Sequence, residues 1–366
     1  MRIKILSTIL ISIPLLTACD IGRELAQPAI DVVKNPQTEI GKQVLGSYSS
    51  KLKNLEFTCV KEQFPSLPQE ADQLYRYALY HDFKNRWLPK PGVLDRYLPY
   101  YRIAAANGHW QANLTLQEIL LKSKDINLET RERRGEGIYW NEKLMKILPA
   151  SAHYWWSLYI DVGYGPKHGA DDAMIYLRKA ADLGNAKAQY EVRELIMKIK
   201  DDASHSFRLE IRDKLQECAA TQVFPDAGAA QMAAATYDNR KDYQKALFYS
   251  HQGVKAGMTA SAQSVSRAFY TENPQSQYKQ WSIPEDKERS RRYKIIREFL
   301  VTHAHLKPEL NVHDLDEIVP LPPAKLPNWD GKIAIQRFVE GPAPAKPSDE
   351  LVRKLAQQAG LDPNTG

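Results

Sequence analysis

Three glycines, Gly108, Gly184 and Gly257, lie 76 and 73 residues apart, and eight residues before each stands a tyrosine: Tyr100, Tyr176 and Tyr249. Small residues follow each glycine: Ala112, then Ala186 and Ala188, then Ala260 and Ala262. The pattern has a direct physical reading. A helix ends and glycine supplies the left-handed residue that closes it. Small side chains then start the next helix, so the two axes approach closely, and the tyrosine two turns back fills the groove between them. The glycine interval is about twice 37 residues, the length of one stacked helical hairpin. A single hairpin cannot bury its apolar stripe, so hairpins must stack on one another. That requirement predicts an all-α fold and leaves no place for a sheet-based domain between about residues 90 and 300.

Helical apolar spacing begins near Leu67. It predicts helix pairs near 68–82 and 92–107, 110–122 and 137–148, 152–163 and 170–183, 186–200 and 204–219, 227–239 and 241–256, and 259–271 and 286–304. The expected organisation is a signal segment over 1–18, a tether and lead-in over 19–66, the helical-repeat solenoid over 67–304 and a proline-rich extension over 305–366.

The stretch 152–192 resembles a Sel-like repeat, a tetratricopeptide-like unit. The residues that carry the likeness are Leu158, Gly163, Gly165, Asp171, Ala173, Tyr176, Lys179, Ala180, Ala181, Gly184, Ala186, Ala188 and Gln189. Weaker copies cover 91–121 and 227–265. The resemblance implies a right-handed α/α superhelix used for protein binding, without catalysis.

The amino terminus carries Arg2 and Lys4, then an apolar run over 5–16, then Leu16, Thr17, Ala18 and Cys19. The run is too short to span a bilayer, which takes about 20 apolar residues, and has the length of a secretory signal core. Its ending resembles a bacterial lipobox. That resemblance implies cleavage before Cys19, a diacylglycerol on its sulfur, acyl chains such as palmitate, and a lipid-anchored domain on the periplasmic side of a bacterial membrane. Asp20 resembles an inner-membrane retention signal. Two further thiols, Cys59 and Cys218, are either bridged, as an oxidising compartment allows, or two buried free thiols in helices.

Nine of the 22 prolines fall in the last 66 residues, so the solenoid cannot continue there. The sequence predicts extended chain, a short strand-like run over 333–339 and a final helix capped by Ser348 and ended by Gly360, with Leu351, Val352 and Leu355 on its apolar side. Trp329 is expected to anchor this tail on the repeats. The stretches 322–331 and 361–366 resemble a carboxy-terminal extension of bacterial Sel-like-repeat lipoproteins that brings no known activity.

The chain has no His-Glu-x-x-His, no Cys-x-x-Cys, no phosphate-cradling glycine loop before Lys-Ser or Lys-Thr and no Gly-x-Ser-x-Gly elbow. His303 and His305 would point apart on a helix and read as surface residues, so no metal and no cofactor are expected. A net charge of +6, with acids interleaved among the bases, argues for solvated helix faces and against nucleic acid. In the aromatic cluster around 154–164, Trp155 and Tyr159 read as repeat core, while Trp156 and Tyr164 are candidate partner-binding anchors. The whole resembles immunity proteins of phospholipase toxins delivered by type VI secretion. The expectation is therefore a non-enzymatic, membrane-tethered protein that binds and occludes such a toxin. The alternatives are a scaffold for envelope assembly or signalling and, third, an enzyme.

Overall fold

The structure, a computed structural model, describes residues 55–122, 130–165, 172–200, 202, 204–270, 281–306 and 310–366. The expected signal segment, Cys19, Asp20 and the repeat residue Asp171 lie outside them. Among the described residues every regular element is helical. The α-helices are α1 Gln69–Arg86, α2 Leu98–Ala106, α3 Trp110–Lys122, α4 Thr130–Leu144, α5 Pro149–Asp161, α6 Asp172–Asp182, α7 Ala186–Lys198 and α8 His205–Ala220. They continue with α9 Ala227–Asn239, α10 Tyr243–Lys255, α11 Thr259–Ala268, α12 Lys287–Thr302, α13 Leu315–Ile318, α14 Ala334–Glu340 and α15 Asp349–Ala359.

Two compact units divide these residues. In the smaller, Leu195–Arg212, buried Arg208 donates from Nε to Ser204 Oγ at 2.9 Å. The larger contains Phe57–Glu194 and Asp213–Gly366. In it, successive helices pack on their chain neighbours from α1 through α6 and from α9 through α12, the arrangement of a helical-repeat solenoid.

The three glycine turns are the same object. Gly108, Gly184 and Gly257 have φ of 83°, 107° and 76°. Each glycine N–H bonds the carbonyl three residues back, and the next residue's N–H bonds the carbonyl five back: His109 to Ala104 at 3.1 Å, Asn185 to Ala180 at 3.0 Å, Met258 to Gly253 at 2.9 Å. These are Schellman closures. In the first two copies the residue after glycine also caps the next helix. His109 Nδ1 accepts from Ala112 N at 3.0 Å, and Asn185 Oδ1 accepts from Ala188 N at 3.0 Å. The alanines that follow, Ala112, Ala188 and Ala262, are fully buried, as close approach of two helix axes requires. Of the three tyrosines, Tyr249 is buried and stacks on Tyr237 with centroids 5.4 Å apart. Tyr100 and Tyr176 are half-buried.

The tail returns to the first repeat. α15 packs on α2 and α14 packs on α1. Arg102 Nη1 donates to Thr365 O at 2.8 Å, and Asn107 Nδ2 donates to Leu355 O at 2.9 Å. The proline-rich stretch lacks N–H groups to pair its carbonyls, and α12 satisfies them. Buried Arg289 donates to Pro320 O at 3.0 Å, and buried Arg292 donates to Ile318 O at 2.5 Å and Pro327 O at 2.7 Å. The Arg292 guanidinium also lies over the Trp329 ring at 5.6 Å, so this tryptophan does hold the tail on the repeats. Ser348 Oγ accepts from Leu351 N at 3.1 Å, and Gly360 closes α15 with φ of 69°. The strand-like run over 333–339 is instead the helix α14. With no neighbouring strand to pair its backbone, seven residues bond internally, and Ala334 N is capped by Asp314 Oδ2 at 2.8 Å.

Candidate functional site

The first helices of the hairpins turn one face toward a groove of about 770 Å³. Its walls include Tyr75 and Leu79 of α1, Leu114 and Glu118 of α3, Tyr154, Trp155 and Leu158 of α5, and Lys187 of α7. Asp226 stands just before α9, and Met258 just before α11.

The floor is the lead-in. Residues 57–67 form no regular element, and Phe57 and Glu62 are buried. Backbone without a regular element must find its partners elsewhere, and the repeats provide several as amide side chains. Gln189 Nε2 and Gln222 Nε2 donate to Val60 O at 3.1 and 2.8 Å, and Glu62 N donates to Gln222 Oε1 at 3.1 Å. Trp110 Nε1 donates to Pro65 O at 2.9 Å. Cys59 and Cys218 are disulfide-bonded, fastening this segment to the end of α8. An aromatic bridge crosses the floor. The Phe64 ring lies 4.9 Å from Trp110 and 4.7 Å from Phe224, and Phe224 lies 5.1 Å from His313.

Gly184 is required twice. Its φ of 107° suits glycine, and a Cβ there would stand 2.5 Å from Glu62 N and 2.8 Å from Lys61 C. Gly257 has the same double role against the 310–312 segment: its Cβ would run into the Leu310 carbonyl, and Val312 N donates to Lys255 O at 2.9 Å. The repeat glycines thus close helices and also let crossing chain lie directly on the turns.

Glu62 is the polar centre of the floor. Its carboxylate accepts from Ser151 N at 2.7 Å, Ser151 Oγ at 3.0 Å and Asn185 Nδ2 at 3.4 Å. Burial pushes it up to about 7, against the lowering pull of those hydrogen bonds. Asp226 caps α9 by accepting from Ala229 N at 2.8 Å, and burial pushes it up to about 6. Tyr154 donates to Glu191 at 2.7 Å and is pushed above the usual phenol range, first by burial and then by that carboxylate.

A pH dependence follows. A carboxyl whose folded pKa is raised binds more protons folded than unfolded, so stability falls as pH rises. For Glu62 the contribution is present below about 4.5 and lost above about 7; Asp226 acts in the same sense between 3.8 and about 6. The unfolding free energy measured in urea is expected to decline between pH 5 and 8. Glu62 alone accounts for a slope of at most about 1.4 kcal/mol per pH unit. Glu62→Gln should flatten that slope, and an equally steep decline in the variant would show that other groups carry it.

The candidate anchors fall differently from expectation. Trp156 is 8% exposed. It packs beneath the turn after α5, where a Cβ on Gly165 would sit 3.2 Å from its ring, and against Tyr176 at 6.3 Å. It is core, as is its neighbour Trp155 at 7% exposed, whose edge also reaches the groove wall. Trp155 and Tyr159 are core as expected, and Trp156 joins them rather than projecting from the surface. Tyr164 is half-buried under the Arg134 guanidinium at 4.1 Å. His303 and His305 are partly exposed: His303 stacks on Phe299 at 4.1 Å, and His305 meets Trp87 at 5.0 Å. Among the described residues no group of three His, Cys, Asp or Glu side chains could hold a metal ion.

Glu62, Gln189 and Gln222 were not singled out as site residues by sequence reasoning. The signal was faint: Phe57, Glu62 and Phe64 in a segment otherwise read as tether.

The fold and groove define a helical-repeat class of protein. Residues 261–366 match a family described as a domain of unknown function (DUF6396). That span begins in α11 and takes in α12 with the proline-rich tail it holds. A solved structure from Pseudomonas aeruginosa, recorded as Pseudomonas aeruginosa 5086 (PA5086), is similar at 27% identity with a TM-score of 0.50, covering 73% of this chain and 95% of that one. No curated protein matches the sequence.

Proposed function

We propose that this chain is a lipid-anchored protein-binding protein on the periplasmic side of a bacterial membrane, and that its groove grips and occludes a lipase-type toxin delivered by type VI secretion. The preformed groove carries the reading. It joins aromatic and aliphatic wall residues to a few charged groups, Glu118, Lys187 and Asp226, which is the composition of a surface that captures a projecting segment of a partner. The Cys59–Cys218 disulfide fits an oxidising compartment. The lipobox-like ending at Cys19 supplies the anchor, and tethering raises the local concentration of an inhibitor where a membrane-attacking enzyme works. The choice of toxin class rests on the resemblance given above.

The test pairs this protein with the product of a neighbouring lipase-like gene. Binding measured by calorimetry, loss of phospholipase activity on mixing, and survival of toxin-challenged cells expressing this chain are the expected results. Lys187→Glu combined with Met258→Asp should weaken binding at least about tenfold while leaving the melting temperature unchanged, since Lys187 is exposed and Met258 half-buried on the groove wall. Wild-type affinity in that variant would move the binding site elsewhere. Binding only to the cell's own envelope proteins would favour the scaffold reading.

A further inference from the structure

Beyond the groove, the loop after α1 carries two adjacent large apolar side chains in water. Trp87 is 74% exposed and Leu88 is 73% exposed. Folded proteins leave single apolar residues at the surface routinely, but an aromatic and an aliphatic side by side at a loop tip is a presented feature. The loop is built rather than loose. Lys90 N donates to Asn85 Oδ1 at 2.9 Å, and Val93 N donates to Lys90 O at 3.3 Å. Pro89 and Pro91 fix the backbone between, and Gly92 turns it at φ of 72°. Below the tip, Trp87 meets the His305 ring edge-on, and Arg86 Nη1 donates to Leu306 O at 3.2 Å. The tip is therefore held out from the body with its indole only partly covered.

The charges around it are mainly basic. From Lys84 to Arg96 the chain contains Lys84, Arg86, Lys90 and Arg96 against one acid, Asp95. The nearest acid before this stretch, Asp82, is paired to Arg86 at 2.6 Å. Tryptophan with a polar N–H, a leucine beside it and flanking cations is the composition that settles at the boundary between lipid headgroups and acyl chains. A fluid bilayer accommodates a projecting tip without a preformed pocket, and an anionic leaflet attracts the basic flank.

We propose that the Trp87–Leu88 loop is a membrane-docking tip that inserts into the headgroup region of an anionic phospholipid bilayer and fixes the orientation of the tethered protein. This rests on the lipid-anchor reading. Two residues bind a bilayer weakly by themselves, but a tether raises the effective concentration to about millimolar, where weak contacts set orientation.

The test tethers the protein independently of its own lipid. The mature chain with Cys19→Ser is attached through an amino-terminal histidine tag to nickel-chelating lipid in phosphatidylethanolamine–phosphatidylglycerol vesicles. With Cys59 and Cys218 bonded, a Leu88→Cys variant offers one free thiol for an environment-sensitive fluorophore. An Ile175→Cys variant, at a position 61% exposed on α6, is the reference. Nitroxide-labelled lipid should quench the probe at 88 several-fold more than the probe at 175, and Trp87→Ser should reduce that difference. Equal quenching at the two positions overturns the proposal. So does protection of the probe at 88 by an added protein partner with no quenching by lipid. Mass spectrometry of the natural Cys19 scores the anchor separately, so a chain without acyl groups and a chain with an idle tip give different results.

Discussion

Gly257→Ala is expected to destabilise the protein by about 3 kcal/mol, far more than the same change at a glycine with open space around it. Two costs add. The left-handed backbone at φ of 76° penalises any Cβ by about 1–2 kcal/mol. The new methyl also strikes the Leu310 carbonyl, which belongs to a backbone segment, and so the segment must move as a unit. Overpacking of that kind costs about 1–3 kcal/mol. Moving it puts at risk the Val312 N to Lys255 O bond and, beyond it, the contact of Asp316 with His251 at 2.7 Å, where His251 Nδ1 also meets Tyr293 at 2.6 Å. Gly331→Ala is the control. Its φ is 88°, but nothing lies within 4 Å of the added Cβ, so only the backbone penalty applies. Urea midpoints of the two variants separate the terms. Equal losses would mean that the 310–312 segment does not press on the turn.

The helices were legible in the sequence because their signal is local. Glycine closures at 108, 184 and 257 and buried alanines at 112, 188 and 262 are read within one turn of the chain. The final helix was equally plain, with Ser348 and Gly360 at its two ends. The groove was not legible, because its floor depends on pairings across 89 to 160 residues. Glu62 meets Gln222 and Ser151, and nothing near Glu62 in sequence announces either partner. A lead-in without helical period reads as tether, although amides from two different hairpins hold its backbone. Trp155 and Trp156 show the same limit within a helix. Periodicity fixes their angular separation, but packing on both sides of α5 covers the two of them, so both are core.

Removing the Cys59–Cys218 bridge is expected to have the largest effect of any double substitution, and to act chiefly on the unfolded chain. The bridge joins positions 159 residues apart. Closing a loop of that length is worth about 5 kcal/mol in the chain-entropy account. In the folded protein the lead-in keeps other fastenings: Val60 O still accepts from two glutamines, and Glu62 still accepts from Ser151. A Cys59→Ser, Cys218→Ser variant should therefore keep its helical content and its groove at neutral pH while unfolding at much lower urea. An unchanged midpoint would mean that the bridge constrains nothing that the unfolded chain could otherwise explore. The same variant also exposes how the floor is shared between covalent and polar fastenings. With the bridge gone, Glu62 holds the segment beside Gln189, Gln222 and Trp110, and its carboxyl loses its favourable contribution as pH rises through about 7. Proteolysis within 57–67 should then be faster at pH 8 than at pH 5.5 in the serine variant, and slow at both in the bridged protein. Because the two fastenings grip one segment, their losses should not add as independent terms.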